Sequence, residues 1–157
     1  MKKTTKSLVK LTDISLPDSV TVIGFRAFYD CTSLEEINVS SGNQNYSSDF
    51  GVLFNKNGSV LIQYPCGNNN IKYDIPDSVT EMESYAFSSC QNLSSIIIPD
   101  NIEKFDLGVF SGWTEKQTIY IEGRSTAADE WNSGWCENCN AKIVWNDSPI
   151  EYTEIIC

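Results

Sequence analysis

Ile75-Pro76-Asp77-Ser78-Val79-Thr80, followed by Ala86-Phe87, Cys90, Leu93 and Ile96, is one turn of a repeating phrase. The same order stands earlier as Leu16-Pro17-Asp18-Ser19-Val20-Thr21, Ala27-Phe28, Cys31, Leu34 and Ile37. It returns in worn form as Ile98-Pro99-Asp100-Asn101-Ile102, Val109-Phe110, Trp113 and Ile119. Ile75 and Ile98 are 23 residues apart, and a fixed period of that length marks a solenoid. A unit so short cannot bury its own apolar face, so each must stack on its neighbours.

Within each unit, apolar residues alternate, as at Ile37 and Val39 or Ile96 and Ile98, which is the period of a β-strand. The strand phrases run over residues 11–16, 34–39, 93–98, 116–121 and 140–145, with a weaker version ending at Ile75. Strands repeating in one direction must stack in parallel. Pro17, Pro76 and Pro99 follow the strands directly, and having no N–H to give a ladder, they close them. The segment Tyr85-Ala86-Phe87-Ser88-Ser89-Cys90 reads as a short turn of α- or 3-10 helix on the convex side.

The period breaks once. Between Val39 and Ile75 lie Gly51-Val52-Leu53-Phe54, a turn at Asn55-Lys56-Asn57-Gly58-Ser59, and Val60-Leu61-Ile62-Gln63-Tyr64-Pro65. Two apolar runs around Asn-Gly make a hairpin. Tyr64-Pro65 imitates the strand-end phrase, which makes the second arm a rung of the sheet; the alternative is a hairpin projecting from the edge of the stack. Further on, Trp131, Trp135 and Trp145 surround Cys136-Glu137-Asn138-Cys139. Terminal repeats must close the stack against water, and large aromatics suit a cap. Residues 146–157 form a tail with Pro149, Ile150, Tyr152, Ile155 and Ile156, a candidate edge strand.

The chain of 157 residues, with 41% hydrophobic and 20% charged residues, has the composition of one globular domain. A net charge of −10 argues against nucleic acid, whose phosphates need clustered Lys and Arg. Lys2, Lys3, Lys6 and Lys10 crowd the first ten positions, but no apolar run of signal-peptide length follows, and no stretch reaches the length of a membrane span. The absence of histidine removes the usual general base, the Ser-His and Cys-His pairs and most zinc and iron sites. No cofactor and no catalytic residue is expected.

Six cysteines remain to be placed. Cys31 and Cys90 share a repeat position two or more rungs apart, too far for a bridge, and read as free structural thiols. Cys136 and Cys139 read as cap residues or a local disulfide. A zinc site would need two further ligands, and a redox pair would want a βαβ setting. Cys66 and Cys157 read as isolated, exposed thiols.

Alternation also assigns the outward face of the sheet. Asp13 and Ser15, Glu36 and Asn38, Lys72 and Asp74, Ser95 and Ile97, Thr118 and Tyr120, and Lys142 and Val144 point away from the core. Most are small or charged, but Ile97, Tyr120 and Val144 form an apolar stripe, and such exposed stripes mark interfaces. The stripe is an interface, a surface covered by the tail over residues 150–156, or incidental exposure. The candidate binding residues are Ile97, Tyr120, Val144, Glu36 and Asn38.

The phrase as a whole resembles the BspA-like leucine-rich repeat proteins of the Treponema pallidum type. The resemblance rests on Ile75-Pro76-Asp77-Ser78-Val79-Thr80, Ala86-Phe87-Ser88-Ser89-Cys90 and Leu93 to Pro99, and covers about residues 11–145. The stretch from Asp49 to Pro65 is similar to a longer unit interspersed in that family, and Tyr120 to Ala141 to a closing element. Val109 and Trp113 depart from the Ala and Cys of the pattern. The resemblance implies a leucine-rich-repeat solenoid, with repeats over residues 11–122 (the long variant over 40–74), a cap over 123–145, a tail over 146–157 and a leader or cloning remnant over 1–10. It also implies a non-enzymatic, protein-binding, adhesion-type module at a bacterial surface or secreted, whose protein partner is a host or extracellular matrix protein, with no nucleic acid and no membrane span. The rival expectations are a structural spacer or fragment of a larger repeat protein, and a thiol-redox factor using Cys136 and Cys139.

Overall fold

The computed structural model describes residues 10–146. Six strand phrases become parallel strands, one per turn: β1 (Asp13–Leu16), β2 (Glu36–Val39), β6 (Lys72–Asp74), β8 (Ser95–Ile98), β10 (Thr118–Glu122) and β11 (Lys142–Asn146). Between them lie β3 (Tyr46–Asp49), β4 (Val52–Asn55), β5 (Val60–Gln63), β7 (Glu81–Met82) and β9 (Lys104–Phe105). One sheet runs β11-β10-β8-β6, a second pairs β1 with β2, and a third runs β3-β4-β5-β7-β9. The result is a β-solenoid of about six turns.

The insert divides the strand-phrase sheet in two. The N–H of Ile37 donates to the carbonyl of Gly51 and that of Val39 to the Ser48 hydroxyl. The free edge of β2 is thereby satisfied by the hairpin, and no ladder to β6 forms. Gly51 is required here: at φ 79° it presses on the β2 backbone, and an added Cβ would lie 2.8 Å from that of Glu36.

The second arm of the hairpin is a rung, but of the other sheet. Strand β5 pairs antiparallel with β4 and parallel with β7, Leu61 opposite Met82, and β7 pairs with β9, Met82 opposite Phe105. Tyr64 accordingly takes the place of the repeat's turn phenylalanine and not of a strand end. Its ring stacks on Phe87 at 5.2 Å, and Phe87 stacks on Phe110 at 5.6 Å.

The convex side carries no helix among the described residues. The turns Tyr85–Cys90 and Gly108–Trp113 are held by i→i+3 bonds, Ser88 N–H to Tyr85 and Cys90 N–H to Phe87 in the first. Each turn has two residues at positive φ four apart: Arg26 and Asp30, Tyr85 and Ser89, Gly108 and Gly112. A right-handed helix cannot pass through left-handed residues at that interval. Side chains tie successive turns together. Asn43 donates to the carbonyls of Pro17 and Val20, Asn101 to those of Asp77 and Val79, and Arg124 to those of Asp100 and Ile102.

Two apolar clusters fill the coil. The smaller contains Leu16, Phe28, Leu34, Ile37 and Leu53. The larger runs from Val52 to the cap, where Trp131 and Trp135 pack on Phe105 at 4.1 and 5.2 Å. Cys66 and Cys90 form a disulfide with Cα atoms 4.3 Å apart, and both are buried. This overturns the expectation of a free Cys90 and an exposed, isolated Cys66. Once Tyr64 occupies a phenylalanine position, Cys66 falls one rung from Cys90, and one rung is bridging distance.

Candidate functional site

The outward row predicted on the C-terminal sheet is built by register. Tyr120 on β10 lies opposite Ile97 on β8 and Val144 on β11, and Ile97 lies opposite Asp74 on β6. The parallel row carries Lys72, Ser95, Thr118 and Lys142. Ile96, Ile98, Ile119 and Ile121 are buried on the inner face, which forces Ile97 and Tyr120 outward. Ile97, Tyr120 and Val144 are each half-buried. Behind them Tyr73 packs 4.9 Å from the Tyr64 ring, and burial pushes its hydroxyl pKa well up, with the nearby Tyr64, Asp49 and Asp74 adding to the rise. The tail over residues 150–156, expected as a possible cover for this row, lies outside the described residues.

Glu36 and Asn38 do not join that row. They sit on β2, in the separate two-stranded sheet, where the Asn38 amide donates to Glu36 Oε1 at 2.9 Å. Both side chains are exposed, and in the adjoining turn between β3 and β4 Phe50 is 90% exposed.

Cys136 and Cys139 are free and half-buried in the last turn. The spacing repeats the Phe-x-x-Cys of earlier turns: Cys139 N–H donates to Cys136 O as Cys90 N–H does to Phe87 O. Their side chains are hydrogen-bonded to each other. That bond raises the pKa of Cys136, aided by burial, and lowers that of Cys139 to about 7 against burial. Among the described residues no group of three or more His, Cys, Asp or Glu stands close enough to hold a metal ion. No helix there is long and apolar enough to cross a membrane.

A second surface was not foreseen from the sequence. On the turn side, Phe25, Arg26 and Tyr29 of the first turn meet Tyr85 of a later one. Phe25 and Tyr29 stand edge-on to the Tyr85 ring at 6.2 and 5.3 Å, and Phe25 is 73% exposed. The Arg26 guanidinium carbon lies 4.2 Å from the Tyr85 ring centre, 5.0 Å from Tyr29 and 5.3 Å from Phe25. Arg26 also donates to the Tyr85 hydroxyl. Beside this group is a cleft of about 220 Å³, lined also by Tyr46, Ile62 and Glu83. The signal available in sequence was the bulky Arg26 and Tyr85 directly before Ala-Phe, where the third repeat has Gly108. Each holds a positive φ that disfavours side chains by roughly 1–2 kcal/mol.

Comparison with known proteins places this geometry. No curated protein matches the chain significantly in sequence. Among solved structures, a leucine rich cell surface protein from Faecalibacterium prausnitzii matches with a TM-score of 0.59 at 24% identity, over 87% of this chain and 48% of that one. A leucine-rich repeat protein from Eubacterium ventriosum matches at 0.54 and 20%, over 86% and 49%. The pneumococcal vaccine antigen PcpA matches at 0.53 and 22%, over 88% and 44%. The chain thus spans about half the length of these structures, and the likeness is one of fold. Repeat families of this kind are generally non-enzymatic. Six copies of the BspA type leucine rich repeat region match residues 3–59 and 62–150, in agreement with the observed turns, and the chain belongs to that family.

Proposed function

We propose that this chain is a non-enzymatic protein-binding module of a bacterial protein displayed at the surface or secreted, and that it binds through the outward row Ile97, Tyr120 and Val144. The observation that carries the reading is the register: three large apolar side chains stand side by side on adjacent parallel strands, on a face whose neighbours are polar. Strands ~4.8 Å apart make this a continuous stripe, and Tyr is among the residues favoured at interfaces. The Cys66–Cys90 disulfide fits an oxidising compartment outside the cytoplasm. The description of the Faecalibacterium structure as a cell surface protein points the same way.

The chain would meet a host or extracellular matrix protein, with Glu36 and Asn38 as a more distant polar contact. The test is binding of the whole chain to immobilised extracellular matrix proteins and to proteins released from its native surroundings. Tyr120→Glu places a charge in the stripe and is expected to weaken binding at least tenfold while leaving the melting temperature within a few degrees. Unchanged binding by that variant overturns the reading.

A further inference from the structure

Arg26 is the one cation lining the turn-side cleft, and Glu83 is the one anion. Among the described residues no carboxylate pairs with Arg26, although the chain carries ten more negative than positive charges. Its guanidinium is held instead by the faces and edges of Phe25, Tyr29 and Tyr85 and by the Tyr85 hydroxyl. A guanidinium stacked on rings keeps N–H groups along its edge, and that fork fits a carboxylate. Beside it, Phe25 offers an exposed apolar face. Arg26 and Tyr29 are exposed and Tyr85 is half-buried, and arginine and tyrosine are the residue types enriched at interface hot spots.

We propose that this cleft docks an acidic segment of a partner protein, a carboxylate seated on the edge of Arg26 with a neighbouring apolar side chain against Phe25 and the cleft wall. The sign of the occupant follows from Arg26. A basic segment would meet Arg26 itself and find Glu83 as the only carboxylate lining the cleft, whereas an acidic one gains from a cation that no carboxylate among the described residues pairs with. The surface lies on the turn side of the coil and uses none of the residues of the sheet-face row, so the two readings stand or fall separately.

Backbone geometry makes a clean test possible. Arg26 has a φ of 59°, a conformation natural to glycine and used by Gly108 in the equivalent place. Arg26→Gly therefore removes the guanidinium without straining the turn. The probe is a synthetic peptide alternating glutamate and phenylalanine, titrated into the 15N-labelled whole chain and followed by amide shifts. Saturable shifts are expected over residues 23–29 and 83–85. Arg26→Gly is expected to keep or raise the melting temperature and to weaken the peptide at least tenfold. Replacing glutamate by glutamine in the peptide should weaken it similarly, and Tyr120→Glu should leave it unchanged. The proposal is overturned if Arg26→Gly binds as the parent does, if a lysine–phenylalanine peptide binds equally well, or if no saturable shift appears at millimolar peptide. Shifts confined to residues 95–97, 118–120 and 142–144 also overturn it and assign acidic segments to the sheet face.

Discussion

Gly108 holds φ at 61° with the Tyr85 ring lying against it, so an added Cβ would stand 2.6 Å from Cε1 of that ring. Both terms oppose a side chain, and Arg26, Tyr29 and Phe25 also pack against the ring and limit its movement. Gly108→Ala is expected to destabilise the fold by about 1–3 kcal/mol, seen as a lower urea midpoint with an unchanged slope. The same comparison explains why the turn-side surface was hidden in the sequence. Arg26, Tyr85 and Gly108 share a repeat position, but a list of residues does not say that the position is left-handed. The phenylalanines behaved otherwise: Phe87 and Phe110 keep the repeat spacing, and their stacking follows from it.

At the scale of elements, the hairpin insert decides most of what departs from the simple repeat. It satisfies the free edge of β2, splits the strand-phrase sheet and adds β5 to the opposite sheet. It also returns the chain in register at Tyr64, which brings Cys66 to Cys90 across a sequence separation of 24. Closing a loop of that size stabilises by about 3 kcal/mol in the chain-entropy account. The double substitution Cys66→Ala and Cys90→Ala should therefore lower the unfolding free energy by about that amount, and reduction of the parent chain should have a similar effect. Equal stability of oxidised and reduced protein in urea would contradict the bridge. The helical turns expected on the convex side gave way for a related reason. Sequence propensity was mild, while paired left-handed residues, such as Tyr85 and Ser89, forced tight turns instead.

For the whole molecule, the division of the core sets where it opens first. The cluster around Leu16, Phe28, Leu34, Ile37 and Leu53 is small, whereas the cluster from Val52 to Trp135 fills the remaining turns. In a solenoid each turn draws stability from its neighbours, and local opening is easiest where few apolar contacts hold it. Backbone amides of β2 are expected to exchange with deuterium at least tenfold faster than those of β8, which is flanked by β6 and β10. Equal protection of the two strands would show that the coil opens as one unit.

The sequence by itself determined the period, the parallel strands, the prolines that end them and the outward row of Ile97, Tyr120 and Val144, because each follows from short-range alternation repeated at a constant interval. Only the tertiary structure decided the split between β2 and β6, the pairing of Cys66 with Cys90 and the meeting of Arg26 with Tyr85. Those three depend on how many residues the insert uses to complete a turn and on which side of the coil it does so. Hydrogen-bond satisfaction at the β2 edge and stacking of Tyr64 on Phe87 settle that path in space, and neither is written in the spacing of the repeat.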